Sequence, residues 1–299
     1  MTIMYGQTRF IRIDHINITT TFTVLTFIVS FAGFIEKAKG KGYLAILRLF
    51  AVAVISVSLV FIQPYLMEAF ILLVGYFVLI VSAIIKNHFG GNRMRQIILL
   101  GILSGLGCTM LLILFFSYSY AVARLNTYVV RVMTGEYSFS IGAYYQPVMA
   151  DSCLAASKLI GAATGTINGI KLVSWLPAVT SDYVIVNVIA SFGWVAGIIL
   201  IASIAVYISR MPIVIKKIKD SFGFYISLGA CTVLAVEFVM GILINFNLLP
   251  PASVCIPFIS YGGTGYIMNM AFIGLILSVW RRNNLVFISS SVSTARGQK

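Results

Sequence analysis

Apolar residues run along this chain in long unbroken blocks instead of alternating with polar ones. Seven blocks are long enough to cross a bilayer: residues 19–35, 44–62, 65–85, 97–121, 183–208, 222–246 and 256–280. A spanning helix needs about 20 apolar residues, and in hydrocarbon only helices or closed barrels satisfy the backbone. Continuous runs predict helices over strands. The expected fold class is all-α and polytopic, with about seven transmembrane helices. One connection stands apart. Residues 122–182 form a stretch of about 60 residues, far above the usual loop length. It carries Tyr, Trp, Val and Leu throughout and is expected to fold against the membrane. No tandem repeat is visible, so residues 1–285 are expected to form a single transmembrane domain. Residues 286–299, small and polar, are expected to be a disordered tail.

Composition agrees with the pattern. Sixty per cent of the 299 residues are hydrophobic and mean hydropathy is +1.01, above the range of soluble domains. The formal net charge of +13 would suggest a nucleic-acid partner in a soluble protein. Here its distribution explains it without nucleic acid. If the chain alternates through seven spans, fifteen basic residues fall on one side, in 36–48, 86–96, 209–220 and the tail. Six fall on the other, and four of those (Arg124, Arg131, Lys158, Lys171) lie in the long loop, which counts least. The N-terminus is expected outside, the long loop extracellular and the C-terminus cytoplasmic. The first twenty residues do not read as a cleavable signal peptide. Four scattered cysteines show no CxxC or metal-ligand spacing.

Few acidic residues occur, so each needs a reason. Asp182 closes the long loop at WLPAVTSDY, just before an apolar block. One reading makes Thr180, Ser181 or Asp182 a helix N-cap. Another makes Asp182 a general base or cation ligand at the membrane surface, kept ionised by the helix N-terminus. Glu237 lies within a span, roughly 15 Å of helix from Asn247. It is a structural protonated carboxyl or part of a polar cavity. Glu68, at the start of the third block, is a snorkelling surface group or a second member of that cavity. Arg131 and Lys158 are solvated charges or pyrophosphate contacts.

The stretch 249–266, LPPASVCIPFISYGGTGY, is the most specific spelling in the chain. Pro250 and Pro251 stop one helix, and Pro257 suits the first turn of the next. Gly262, Gly263 and Gly265 then fall inside that helix, where they permit close backbone packing or offer N–H groups to an anion. Leu249-Pro250 followed by Ile256-Pro257-Phe258-Ile259-Ser260-Tyr261-Gly262-Gly263 resembles the last-span signature of the SEDS family, the RodA, FtsW and SpoVE proteins. Leu176-Pro177-Ala178-Val179-Thr180-Ser181-Asp182-Tyr183 resembles that family's LPE-x-HTDF. Ser157-Lys158-Leu159 with Gly161 and Gly165, Gln63-Pro64-Tyr65-Leu66, and Arg9-Phe10-Ile11 fall in matching order.

The resemblance implies a multi-pass protein of the bacterial cytoplasmic membrane that polymerises lipid II, the undecaprenyl-linked peptidoglycan precursor, beside a class B penicillin-binding protein. The family has ten spans; this chain is expected to be a shortened, divergent member that lacks the first three. Asp182 matches the family's essential loop aspartate. The resemblance makes it the catalytic candidate, as base for the acceptor hydroxyl or as holder of a divalent cation (Mg or Mn). Lys158, Arg131, Ser260, Gly262 and Gly263 are the expected substrate contacts. Family carboxylates are absent where this chain has Tyr65, Ala178 and Ala190-Ser191, and its QPSE motif is replaced by Thr19-Thr20-Thr21-Phe22. A non-enzymatic scaffold that binds a penicillin-binding protein or lipid II is therefore the alternative reading. A lipid transporter or flippase, resting on Glu237, is a third.

Overall fold

The computed structural model describes residues 11–13, 16–18, 21–62, 66–116, 119–134, 145–167 and 169–296. Arg9, Phe10, Thr19, Thr20 and the Gln63-Pro64-Tyr65 stretch, all used in the sequence comparison, lie outside them. The chain is all-α and polytopic in character. Its long helices are α1 (Thr21–Lys37), α2 (Gly42–Ile62), α3 (Leu66–Ile85) and α4 (Arg93–Phe116), then α8 (Trp194–Lys216), α9 (Ser221–Asn245) and α10 (Gly263–Arg296). Among the described residues, five helices are long and apolar enough to cross a membrane: those at Gly42–Val60, Leu66–Ile85, Trp194–Lys216, Ser221–Asn245 and Gly263–Asn283. The connection 122–182 holds most of α5 (Ser119–Thr134), then α6 (Tyr145–Ala155), a small hairpin of β3 (Thr166–Ile167) with β4 (Ile170–Lys171), and one 3₁₀ turn at Leu172–Trp175. A further hairpin pairs β1 (Ile11–Ile13) with β2 (Ile16–Ile18).

Three sequence expectations change. The block 183–208 is two helices, α7 (Val184–Phe192) and α8, separated by Gly193 at φ 98°. A Cβ on Gly193 would lie 2.6 Å from the Leu159 carbonyl oxygen, so only glycine lets segment 158–163 come this close. That segment pairs with the backbone that the break exposes. Gly161 N donates to Phe192 O, Ala163 N to Ala190 O, Trp194 N to Lys158 O and Val195 N to Leu159 O. Broken helices persist beside lipid when protein groups re-satisfy the freed backbone in this way. The last helix starts at Gly263, not at 256. Phe258 has φ 64°, a left-handed conformation that no helix continues through, so 256–262 is a turn and Pro257 is not in a helix's first turn. Helix α10 also runs on to Arg296, through the stretch expected as a disordered tail. From Asn284 to Arg296 there is no Gly or Pro to end it.

Two compact units can be distinguished within 1–285, and the divisions fall inside α4, α8 and α9. In the first unit, α1, α2 and α3 pack together and α1 meets α10. Ile28, fully buried on α1, fits against two glycines. A Cβ on Gly75 of α3 would stand 2.8 Å from its Cδ1, and one on Gly229 of α9 2.6 Å from its Cγ2. Small residues at such contacts let helices approach closely. Phe31 stacks on Tyr76 at 4.1 Å, and the Ser56 and Tyr76 hydroxyls are 2.9 Å apart. The second unit comprises 104–207 and 237–262. Its core joins Met149, Ala150 and Cys153 of α6 to Leu176, Tyr183, Val186 and Ala190.

Candidate functional site

Asp182 lies in the second unit, in the tight turn 178–183 that leads into α7. Ala178 takes φ 55°, which folds the chain so that Ser181 N, Asp182 N and Tyr183 N all donate to the Ala178 carbonyl (3.1, 3.0 and 3.2 Å). The turn is then held from outside by the 245–262 segment. Tyr261 N donates to Thr180 O (2.8 Å). The Ser260 hydroxyl donates to Ser181 O (2.6 Å) and accepts from Ile256 N (2.9 Å). Asn245 Nδ2 donates to Asp182 O (2.8 Å). Three successive carbonyls, 180 to 182, are thus occupied by the SYGG turn and the end of α9. The half-buried Asp182 carboxylate accepts the Ser253 hydroxyl at Oδ1 (3.1 Å).

The helix-cap reading of Thr180, Ser181 and Asp182 is corrected here. The N-cap residue of α7 is Tyr183, with no side-chain cap bond; Ile185 N and Val186 N donate instead to Asn245 Oδ1 (3.0 and 3.2 Å). The cap is thus supplied from another helix, α9.

Cys255 reports on the charge here. Burial first, then the carboxylates of Asp182 and Glu237, push its thiol up to about 11. Asp182 and buried Glu237 are thus both among the charges that act on Cys255. Gly262 completes the turn: a Cβ there would stand 2.9 Å from Cys255 Sγ.

The other expected site residues divide. Ser260 and Gly262 belong to this turn. Gly263 opens α10 and falls in the first unit, as does half-buried Glu68 of α3. Lys158 is exposed, and its carbonyl is engaged by Trp194 N at the α7–α8 break. Arg131 is part of a clamp that the sequence did not reveal. Its guanidinium donates to Asp151 Oδ2 (2.6 Å) and to Asn247 O (2.9 Å). Asn247 Nδ2 donates to the other carboxylate oxygen of Asp151 (2.8 Å) and to Pro147 O (2.9 Å), and Tyr128 donates to Leu248 O (2.5 Å). Asp151, Asn245, Asn247 and Ser253 were all missed. The one sequence signal is two asparagines, 245 and 247, at and just past the end of a mostly apolar helix.

Among the described residues, no three His, Cys, Asp or Glu side chains converge as a metal cage. A lone carboxylate suits a cation that arrives with a phosphate-bearing ligand, because Mg²⁺ commonly takes one or two protein carboxylates and completes its shell from phosphates and water.

Comparison with known proteins places the chain. The family described as "Cell cycle protein", FTSW_RODA_SPOVE, matches residues 2–285. A probable peptidoglycan glycosyltransferase FtsW of Trichlorobacter lovleyi is 22% identical over 92% of this chain and 68% of its own length. The stage V sporulation protein E of Bacillus subtilis is 22% identical over 68% of this chain and 53% of its own length. A Thioalkalivibrio protein named as a probable FtsW is 29% identical over 40% of this chain, which is 30% of its own length. This chain thus spans only part of the relatives it matches. A solved peptidoglycan synthase complex, described for its coordination of polymerization and crosslinking, contains a chain with the same fold: TM-score 0.65 at 20% identity, covering 94% of this chain and 75% of that one.

Proposed function

The chain belongs to the FtsW/RodA/SpoVE family, and from that premise we propose that it polymerises lipid II in bacterial cell-wall synthesis. In this reading Asp182 is the catalytic base. It takes the proton of the acceptor sugar hydroxyl as that oxygen attacks the anomeric carbon of the donor, and the undecaprenyl pyrophosphate leaves. Removal of the proton during attack is worth about 10²–10⁴-fold in rate. The Ser253 hydroxyl at Oδ1 orients the carboxylate. The observation that carries the reading is the fixing of carbonyls 180–182 by Ser260, Tyr261 and Asn245. It joins the two most family-like stretches of the sequence at one carboxylate. A preorganised base costs little rearrangement at the moment of reaction. In the alternative role, Asp182 would instead hold on the protein side a divalent cation brought in with the pyrophosphate, which would offset the charge that develops on the leaving group. We place the site on the outer face, with the N-terminus outside and the C-terminus cytoplasmic, on the distribution of basic residues. A class B penicillin-binding protein is the proposed partner.

The test is polymerisation of lipid II by the purified protein in vesicles, alone and with a class B penicillin-binding protein. Glycan polymer that disappears with Asp182→Asn supports the reading. Absence of polymer from folded protein in both formats refutes it.

One observation favours a second reading, a scaffold that binds lipid II or a synthase without turnover. Arg131, an expected pyrophosphate contact, is committed to Asp151 and Asn247. Retention of lipid II or of the penicillin-binding protein on the immobilised chain, without polymer, selects this reading.

A further inference from the structure

Asn245 stands out among the buried polar groups of the second unit because its amide uses its full bonding capacity. It is 0% exposed. Its Nδ2 donates to Asp182 O and to Gly241 O, both at 2.8 Å. Its Oδ1 accepts from Ile185 N and Val186 N at 3.0 and 3.2 Å. A side-chain amide has two donors and two acceptor lone pairs, so nothing is left over. Gly241 O ties the amide to the preceding turn of its own helix. The other three bonds grip the chain just C-terminal to the residue 182 side chain: the carbonyl of Asp182 itself, and the Ile185 and Val186 N–H groups in the first turn of α7.

We propose that Asn245 is the positioning residue for Asp182. One planar group, rigid on α9, fixes the peptide that leaves Asp182 relative to the start of α7, and so sets the direction of the carboxylate just ahead of both. The usual solution at a helix start is a local Ser, Thr or Asp cap. Here the local candidates include Asp182, and a cap formed by its carboxylate would consume the group that the chemistry needs. A cap supplied from Asn245 satisfies the helix end and leaves the carboxylate to its other contacts. The inference rests on the reading of Asp182 as the base, but its structural half can be tested without turnover.

Asn245→Asp separates the two halves. A carboxylate keeps both acceptor bonds to Ile185 N and Val186 N, so α7 stays capped, but it cannot donate to Asp182 O. Two measurements follow, amide hydrogen exchange and the pH profile of lipid II polymerisation. Exchange at Ser181, Asp182 and Tyr183 is expected to quicken about tenfold, while Ile185 and Val186 stay protected. In polymerisation, kcat is expected to fall about tenfold or more with KM unchanged, because a small misplacement of a reacting group acts on the chemical step. The acid limb of the pH profile is expected to move to higher pH, since a second carboxylate beside the turn disfavours ionised Asp182. A general loss of packing would lower the amount of active protein without moving that limb. Wild-type kcat and pH profile in folded Asn245→Asp overturn the inference. If the wild-type chain makes no polymer, the reading of Asp182 as base fails on its own, and exchange alone decides the positioning claim: unchanged exchange at 181–183 overturns it.

Discussion

The second unit treats two aspartates in opposite ways. Asp151, on α6, has both oxygens committed, one to Arg131 at 2.6 Å and the other to Asn247 at 2.8 Å. Its charge is neutralised on the spot, and the pair is mostly shielded, with side chains 23% and 31% exposed. Around Asp182 the short bonds go to main-chain carbonyls, and the carboxylate accepts the Ser253 hydroxyl. The first arrangement spends a charge on holding α5, α6 and the end of α9 together. The second holds the backbone around the aspartate through its carbonyls. An acidic residue's role is therefore legible from which of its atoms the neighbours hold.

The comparison breaks most visibly in activity. Asp182→Asn is expected to lower lipid II polymerisation by about 10²-fold or more while thermal unfolding stays near that of the wild type. A mutant that polymerises normally would end the assignment. Asp151→Ala should do the reverse. It removes the carboxylate that Arg131 pairs with and is expected to cost about 1–3 kcal/mol, seen as a lower unfolding midpoint. Arg131→Ala should cost a similar amount, and the double mutant little more than either single one. If Arg131→Ala instead raises KM for lipid II with stability intact, Arg131 is a substrate contact and the clamp is incidental. Ser260→Ala removes two bonds from a hydroxyl in a 7% exposed residue, to Ser181 O and from Ile256 N. A loss of about 1–2 kcal/mol is expected, with the turn the first region to gain hydrogen exchange.

The smallest effect separates the aspartates by charge alone. The Cys255 thiol is raised by burial and then by Asp182 and Glu237, whereas Asp151 is not among the groups acting on it. Loss of a nearby negative charge stabilises the thiolate and lowers the thiol's pKa. In a Cys108→Ser background, which removes the exposed cysteine, Asp182→Asn is expected to speed Cys255 alkylation at pH 8 on the order of threefold. Asp151→Asn should leave that rate unchanged, and equal acceleration by both would erase the distinction.

Much of this was readable along the chain. The long apolar blocks located the helices because hydrocarbon admits few alternatives to a continuous helix. The spelling around Ser260 and Asp182 marked the two stretches that meet at the candidate site. Gly193 carries no signal in the sequence, because glycine is common in membrane helices. Its φ of 98° and the docking of 158–163 depend on a partner about 30 residues away. Pro257 read as a helix start, and only the backbone at Phe258 shows a turn there.

What the sequence alone determined was burial and kinship: which segments are apolar enough for lipid, and which family's motifs they carry. Those are properties of short windows, where composition and spelling suffice. What the tertiary structure decided was the employment of each polar group. Arg131 meets Asn247 across 116 residues and Asn245 meets Asp182 across 63, so no local pattern encodes either pairing. A hydrogen bond needs its partners within about 3 Å, and whether a side chain caps, clamps or catalyses depends on what folding brings within that distance.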